Sequence, residues 1–377
     1  MKVLFDCRYT RIGRHDGISR YGAGLVTEYA KLHEVTMIIS DRRQLDMLPD
    51  LPYITVTSGR SLAEPWVALQ INRAKPDVVY SPMQTIGSAH RNFRLIVTVH
   101  DMVFYRMRTP PREFTRFIQM IWRGYHLFYW PQRMVLDRAE AVVTGSYNCE
   151  REMNHARLTK RPITVIRPGV NDLGLPPRSH ADPRKLVYMG TFQANKNVET
   201  LVAGMHHLPG YTLHLLSRVS DEVRARLTSL GPKDAIVFAN GVSDDEYLAH
   251  LRASTAMVSA CFDEGFGIPL IESLVAGTPL VISDIPVFRE VGGRAATFFD
   301  PHSPGAFADA VLSMDTPDRW NELTRLAVLQ SQDFSWAESA RRLDELIRTL
   351  PPRKRKWWQP WRHGADTTPT SGSQAIN

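Results

Sequence analysis

The chain has 377 residues, which is too many for one ordinary hydrophobic core, so we expect two domains of about 170 residues each. Its apolar content of 43% and charged content of 23% are typical of a globular protein in water. No apolar run approaches the roughly 18 residues that cross a bilayer, and the apolar stretch after Met1 is too short for a signal peptide. We therefore expect the protein to stay in the cytoplasm.

The net charge of +7 is concentrated in two segments. Residues 104–138 carry seven arginines against two acids, and residues 351–377 carry five basic residues against one acid. These segments contribute +5 and +4, so the rest of the chain is close to neutral, near −2. Such local patches argue against a general nucleic-acid binder and favour contact with an anionic surface.

Short β-branched segments alternate with longer helical patterns, which is typical of βαβ units and parallel sheets. In the first half, the predicted strands are Val3–Phe5, Val35–Ile39, Val78–Tyr80, Leu95–Thr98, Ala141–Thr144 and Ile163–Ile166. In the second half, they are Lys185–Met189, Thr212–Leu216, Ala235–Phe238, Ala256–Ser259, Leu280–Ile282 and Ala296–Phe298. Two sets of six strands predict an α/β protein with two doubly wound, Rossmann-like domains, whose ligands bind at the carboxyl ends of the strands.

A polar, proline-rich segment separates the two sets of strands. We predict an N-terminal domain over residues 1–173, a linker over 174–183 and a C-terminal domain over 184–334. A helix is expected over 335–350, and the basic, tryptophan-rich tail over 351–377 is expected to be disordered. The cleft between the domains is then the default ligand site.

Two loops of the first domain follow predicted strands and carry candidate ligand-binding residues. The run Asp16-Gly-Ile-Ser-Arg-Tyr21 follows the first strand, and Gly17 leaves room for a ligand above the sheet edge. The run Val97-Thr-Val-His-Asp101 ends a later strand. His100 can hydrogen-bond a ligand hydroxyl there, or it can form a structural pair with Asp101.

The second domain opens with a strand, a glycine and a lysine-bearing loop. Gly190 and Thr191 follow the strand, and Lys196 lies in the loop, where it can neutralise an anionic ligand. Further along, the run Phe238-Ala-Asn-Gly-Val-Ser243 precedes a helical pattern. Ser243 or Asp244 is a good N-cap for that helix.

The most informative stretch is Glu264-Gly-Phe-Gly-Ile-Pro-Leu-Ile-Glu272. Gly265 and Gly267 permit a tight turn and a close approach to a ligand, and the proline suits a helix start. A helix over Pro269–Ala276, ended by a glycine, presents free backbone N–H groups and its positive dipole end to a phosphate. Carboxylates on either side are expected to accept hydrogen bonds from hydroxyls, and phosphate beside hydroxyls describes a nucleotide sugar.

Together these motifs resemble the retaining GT-B glycosyltransferases of family 4 over roughly residues 1–345. The resemblance implies transfer of a sugar from a nucleotide diphosphate sugar with retention of configuration, without a cofactor or a metal ion, since no Asp-x-Asp motif is visible. His100, Lys196 and Glu264 would be the catalytic residues. The donor would be bound by Gly17, Thr191, Lys196, Arg218, Gly265, Phe266, Gly267, Ile268 and Glu272.

The resemblance also implies a role for each part of the donor site. Lys196 would neutralise the leaving diphosphate, and the backbone N–H groups of residues 266–268 would contact it. Glu264 would hold hydroxyls of the transferred sugar, and Glu272 would hold the ribose. Mannosyl transfer is common among members with this motif style, so GDP-mannose is the first expectation for the donor. The acceptor would be a glycolipid or polysaccharide of cell-envelope glycan synthesis. The first domain would lie on the acceptor side, the second would bind the nucleotide sugar, and the helix over 335–350 would cross back to the first domain.

The chain departs from the family pattern at one place. Relatives carry an arginine after the glycine or just before the lysine, where this chain has Thr191 and Asn195. The second cation for the diphosphate must then come from elsewhere, and Arg218 at the end of the next strand is the predicted substitute.

Residues 104–138 and 351–362 favour contact with an anionic membrane surface. The stretch Pro110–Arg138 alternates bulky apolar groups with arginines, so it is either a core helix with a solvated face or an amphipathic helix on anionic lipid. The run Arg353-Lys-Arg-Lys-Trp-Trp-Gln-Pro-Trp361 suits a lipid headgroup interface, although basic and aromatic residues also bind nucleic acid. We expect no nucleic-acid partner and a peripheral position on the inner face of the cell membrane.

Two other functions stay open at this point. A nucleotide-sugar epimerase of GT-B architecture would release free monosaccharide without an acceptor. A non-catalytic, membrane-associated sugar-nucleotide-binding protein would bind the donor without turnover, and the missing arginine beside Lys196 fits that function.

Overall fold

The computed structural model of the protein describes residues 1–107, 115–171, 173–176, 178 and 184–351. Within this part of the chain, thirteen strands form two parallel sheets of seven and six strands. Most of the predicted linker and nearly all of the predicted tail lie outside the described residues. The two sheets confirm the predicted α/β class with two doubly wound domains.

The first sheet has the order β3-β2-β1-β4-β5-β6-β7. Strands β2 and β3 are added on one side of β1, and the later strands are added on its other side, beginning with β4. This change of side leaves a crevice at the carboxyl ends of β1 and β4. Six of its strands agree with the predicted ones within one residue, whereas the three-residue edge strand β3 was not predicted because it is too short to show a pattern. The strands are β1 Val3–Asp6, β2 Val35–Ile39, β3 Tyr53–Thr55, β4 Val78–Ser81, β5 Arg94–Val99, β6 Ala141–Thr144 and β7 Ile163–Val165.

The second sheet has the order β10-β9-β8-β11-β12-β13, and its reversal lies between β8 and β11. All six strands agree with the predicted ones within one residue. Central strands such as β11 and β12 are buried at every position, because helices cover both faces of the sheet. The strands are β8 Lys185–Tyr188, β9 Thr212–Leu215, β10 Ile236–Phe238, β11 Ala256–Ser259, β12 Leu280–Ser283 and β13 Ala296–Phe299.

Fourteen α-helices are present in the described residues, and polar caps mark several of their starts. Ser243 accepts a hydrogen bond from the Glu246 backbone and forms a capping box, which confirms it as the N-cap. The helices are α1 Gly17–Tyr29, α2 Val67–Ile71, α3 Val103–Arg106, α4 Arg116–Leu127, α5 Trp130–Leu136, α6 Tyr147–His155, α7 Val198–Gly204, α8 Asp221–Thr228, α9 Asp244–Arg252, α10 Ile268–Val275, α11 Pro286–Gly292, α12 Pro304–Leu312, α13 Pro317–Ser331 and α14 Trp336–Thr349.

The last helix, α14, leaves the second domain and packs on the first. Its buried apolar side chains join the core formed by β1, β2 and α1. Trp336 packs at a steep angle against the ring of Tyr21, with the ring centroids 5.9 Å apart. A Cβ added at Gly24 would overlap the Trp336 ring, so glycine is required for this close approach of α1 and α14.

The basic aromatic segment forms separate helices rather than the single helix considered over Pro110–Arg138. In the described part, α4 ends at Leu127, and α5 begins at Trp130 after a two-residue break. Three described apolar side chains of α4 are exposed: Ile118 (45%), Met120 (62%) and Leu127 (50%). These three side chains therefore belong to no hydrophobic core. None of the described helices combines the length and apolar character needed to cross a membrane.

Candidate active site

A cavity of about 300 Å³ lies between the two domains, at the carboxyl ends of strands from both sheets. Its walls come from the start of α1, the loops after β5 and β8, and the loop that joins β11 to α10. Two of the predicted site residues, Arg218 and Glu272, do not belong to its lining. The predicted site residues that line it are Gly17, His100, Thr191, Lys196, Glu264, Gly265, Phe266, Gly267 and Ile268.

The helix start in the Glu264–Glu272 stretch lies at this cavity. Gly267 adopts a φ of 94°, a conformation that favours glycine, and α10 begins at the next residue, one position before the predicted start. No described side chain caps α10. Pro269 has no N–H group, and the Leu270 N–H donates to the Gly267 carbonyl at 2.9 Å, so among the first three residues of the helix the Ile268 N–H remains available to a ligand. A Cβ added at Gly17 would lie 3.9 Å from Ile268 Cδ1, so the starts of α1 and α10 face each other across the cleft.

Lys196 stands at the end of a short 3-10 turn that is fixed to the neighbouring loop. The side chain of Asn197 donates hydrogen bonds to the backbone oxygens of Ala260 (3.0 Å) and Pro301 (2.8 Å). The Lys196 ammonium forms an ion pair with Glu264. Burial by itself would lower the pKa of Lys196, but the charge of Glu264 outweighs it and raises the pKa above its usual value. The lysine is therefore a fixed cation in the cavity.

His100 enters the cavity from the end of β5 and is held by backbone. Its Nε2 lies 2.7 Å from the carbonyl oxygen of Pro82. A carbonyl can only accept, so Nε2 carries the proton, and Nδ1 is left as an acceptor when the ring is neutral. Burial lowers the pKa of His100, which favours the neutral ring. The structure thus holds His100 through Pro82 rather than through the structural pair with Asp101.

Asp101 is a cavity residue that was not predicted as a site residue, although the motif containing it was noted. Its carboxylate accepts a hydrogen bond of 3.0 Å from the Val103 backbone. Burial and, to a smaller extent, the nearby carboxylates of Glu264 and Asp263 together raise the pKa of Asp101 to about 6. Two carboxylates and one lysine therefore share a small, poorly solvated volume.

Gly265 is a point of close approach between the two domains. A Cβ added there would lie 2.7 Å from the His100 carbonyl oxygen and 2.8 Å from Asp101 Cβ. Ser146, which caps α6 in the first domain, donates a hydrogen bond of 3.1 Å to the Gly265 carbonyl. The glycine turn predicted to approach a ligand thus also makes a tight backbone contact between domains.

Side chains next to the cavity form further cross-domain pairs that sequence patterns did not reveal. Arg106 pairs with Asp263, the residue just before Glu264. Glu290 of α11 accepts hydrogen bonds from the backbone N–H groups of Tyr147 (3.0 Å) and Asn148 (2.9 Å) at the start of α6. These contacts give Glu290 a structural role, since they fix α11 of the second domain to the start of α6 in the first.

Two predicted donor-binding residues lie beside the cavity. Glu272, one turn into α10, accepts a hydrogen bond of 2.6 Å from Arg20 on α1. Arg218 is exposed and lies against Gly241 in the loop before α9. The structure thus brings Arg20, and not Arg218, to the cleft face of α10.

Comparison with known proteins agrees with this geometry. Residues 15–172 match the model described as Glycosyltransferase Family 4, and residues 176–318 match the one described as Glycosyl transferases group 1. O-antigen chain mannosyltransferase B from Escherichia coli is 30% identical over 268 residues, which are 66% of this chain and 68% of that protein. O-antigen chain mannosyltransferase RfbU from Salmonella typhimurium is 24% identical over 333 residues, which are 81% of this chain and 89% of that protein.

Among solved structures, sucrose-phosphate synthase from Thermosynechococcus elongatus has a similar fold. The TM-score is 0.73 at 18% identity, and the alignment covers 93% of this chain and 99% of that protein. The two α/β domains of the present chain, facing each other across the cavity, are the GT-B arrangement. The chain therefore belongs to glycosyltransferase family 4 and is a glycosyltransferase with the GT-B fold.

Proposed function

We propose that the protein transfers a mannosyl group from a nucleotide diphosphate sugar, with GDP-mannose as the first candidate, to a glycolipid or polysaccharide acceptor of the cell envelope. One observation carries the proposal: His100, Lys196 and Glu264 line the same cavity as the facing starts of α1 and α10. Two relatives are O-antigen chain mannosyltransferases by name, which supports both the sugar and the kind of acceptor.

In this proposal, the diphosphate binds between Lys196 and the backbone N–H groups of residues 266–268 at the start of α10. Both supply positive charge that is already in place when negative charge develops on the leaving group. Glu264 holds hydroxyls of the sugar while its ion pair with Lys196 fixes its position. The Nδ1 atom of His100 accepts a hydrogen bond from another sugar hydroxyl, because its Nε2 is committed to Pro82.

The proposed transfer retains the anomeric configuration. The bond between the anomeric carbon and the diphosphate oxygen breaks, and its electron pair stays on that oxygen. The acceptor hydroxyl attacks the anomeric carbon from the same face, and its proton passes to the departing oxygen. Because Lys196 and the helix start stabilise the leaving group in this scheme, no metal ion is required, and turnover should continue in excess EDTA.

The substrate assignment is tested first by binding and then by turnover. We expect one of GDP, UDP, ADP and TDP, with GDP as the first candidate, to raise the melting temperature most. The matching sugar nucleotide should then label a glycan in a membrane extract. Release of free monosaccharide without an acceptor would instead indicate an epimerase, and binding without turnover across many acceptors would indicate a non-catalytic protein.

A lysine variant tests the diphosphate site. Lys196→Ala should abolish transfer while circular dichroism and melting show a folded protein, because the leaving group loses its fixed cation. Lys160→Ala, at an exposed lysine of the first domain, is the matched control and should keep full turnover. Unchanged turnover in Lys196→Ala would refute the assignment.

We also propose that the protein acts as a peripheral protein at the inner face of the cell membrane. Exposed Ile118, Met120 and Leu127 on α4, with Arg116 and Arg123 on the same helix, suit an anionic lipid surface. The tail over 351–362 adds four consecutive basic residues and three tryptophans.

Met120→Asp and deletion of residues 351–377 should each weaken sedimentation with anionic vesicles but leave turnover of a soluble acceptor unchanged. Full vesicle binding in both variants would contradict this proposal.

A further inference from the structure

Arg20, in the first turn of α1, joins the two domains beside the cavity. Its Nη1 lies 2.6 Å from Glu272 Oε1, and its Nη2 lies 3.3 Å from Asp244 Oδ1. The pair with Glu272 is partly buried, since the Arg20 and Glu272 side chains are 34% and 15% exposed. The pair with Asp244 is mostly in solvent, since that side chain is 81% exposed.

The carboxylate that holds Arg20 lies on the helix whose start borders the cavity. Glu272 is four residues after Ile268, which places it about 6 Å further along the axis of α10. Side chains on an α-helix point back toward the N-terminus of that helix. The Arg20 side chain therefore points toward the Gly17 end of α1, and Gly17 lines the cavity.

The lining of the cavity is short of positive charge for a diphosphate. Lys196 is the single Lys or Arg among the described lining residues, and Glu264 already neutralises it. Arg218 is exposed and does not reach the lining in the described part of the chain. Arg20 is a cation on the cleft face of α10, and it is held there only by side-chain contacts that a ligand can replace.

Each of the two ion pairs of Arg20 can be broken when a nucleotide binds, for a different reason. Ribose hydroxyls can donate hydrogen bonds to the Glu272 carboxylate in place of the guanidinium. A bound nucleotide can therefore displace Arg20 from Glu272. The exposed contact with Asp244 contributes little, because such pairs are screened by water. A change of side-chain rotamer then brings the guanidinium toward the start of α10.

We propose that Arg20 is the second cation for the donor diphosphate, held by Glu272 and Asp244 until the ribose takes over Glu272. The guanidinium then donates hydrogen bonds to diphosphate oxygens and keeps its own proton when the glycosidic bond breaks. This inference rests on the proposed function, since it assigns a binding residue to the diphosphate of the same donor. It also makes Arg20 the replacement for the arginine that the loop before Lys196 lacks.

Calorimetric titration separates the diphosphate from the rest of the nucleotide. Two probes are used, a nucleoside diphosphate and the nucleoside with the same base. The diphosphate is the one among GDP, UDP, ADP and TDP that raises the melting temperature most. Arg20→Ala should weaken diphosphate binding by about ten- to a hundredfold while the nucleoside binds at least as tightly as to the unmodified protein. Arg20→Lys should show a smaller loss for the diphosphate, because it keeps the charge but not the planar fork.

Asp244→Asn is the matched control, because it removes one holding contact and keeps the guanidinium. Its diphosphate affinity should equal or exceed that of the unmodified protein. Equal weakening of nucleoside and diphosphate in Arg20→Ala, or unchanged diphosphate binding, would overturn the inference. These titrations need no acceptor, so absence of sugar transfer would count against the proposed function and not against the role of Arg20.

Discussion

At the scale of single residues, the site is a set of charges whose properties depend on their shared burial. Lys196, Glu264 and Asp101 lie around one small cavity, and the charge of Glu264 acts on the other two. Glu264 raises the pKa of Lys196 and adds to the rise in the pKa of Asp101. The lysine thus stays charged, whereas the carboxyl of Asp101 ionises less readily than that of an exposed aspartate.

The raised pKa of Asp101 predicts a pH-dependent cost in stability. The folded protein keeps this proton up to about pH 6, whereas the unfolded chain releases it near 3.8, so stability falls as pH rises between these values. Asp101→Asn removes this loss. Its free energy of unfolding relative to the unmodified protein should rise by up to about 3 kcal/mol between pH 4 and pH 7.

Chemical denaturation at several pH values measures this difference. Asp50→Asn, at an exposed loop position, is the control and should show no comparable rise. A difference between Asp101→Asn and the unmodified protein that is constant with pH would contradict the raised pKa.

At the scale of elements, local sequence signals determine where helices begin and end, whereas packing determines where they lie. The start of α10 follows from a left-handed glycine and a proline in its first turn, and its end follows from Gly277 with a φ of 69°. These signals are local, so the helix could be predicted to within one residue. The position of α14 is different, because it depends on a helix–helix contact that only a glycine allows.

The contact between α14 and α1 predicts a large loss of stability when its central aromatic ring is removed. Trp336 is 6% exposed and packs on Tyr21 and Gly24. Trp336→Ala should lower the free energy of unfolding by about 3–5 kcal/mol, as expected for a buried tryptophan.

Thermal and denaturant unfolding provide the measurement. Trp66→Ala removes a side chain that is 54% exposed and should change stability by less than about 0.5 kcal/mol. A similar small effect for Trp336→Ala would mean that α14 contributes little to the core of the first domain.

At the scale of the whole molecule, the candidate active site lies where the two domains meet. The Gly265 backbone contacts the His100 carbonyl, and Ser146, Glu290 and Arg106 add polar contacts around it. In the proposed function, closure of this interface has the role of excluding water and protecting the donor from hydrolysis.

Gly265→Ala should therefore impair transfer by preventing full closure. The added methyl group would overlap the His100 carbonyl, and a displacement of about 1 Å can lower turnover by roughly a hundredfold. Steady-state turnover measures the loss, and small-angle X-ray scattering with the nucleoside diphosphate should show a larger radius of gyration. Gly305→Ala is the control, since its nearest neighbour atom would be 3.9 Å away. Normal turnover in Gly265→Ala would show that closure to this contact is not needed.

The sequence alone determined the fold class, twelve of the thirteen strands and the motifs that line the cavity, because burial periodicity, glycine, proline and capping residues act over a few neighbouring positions. Only the tertiary structure decided which charges meet. Arg20 and Glu272 are 252 positions apart, and Arg106 and Asp263 are 157 apart. Such pairing depends on how the domains are set against each other by α14 and by the Gly265 contact. Local patterns favoured Arg218, whereas domain orientation placed Arg20 at the cleft.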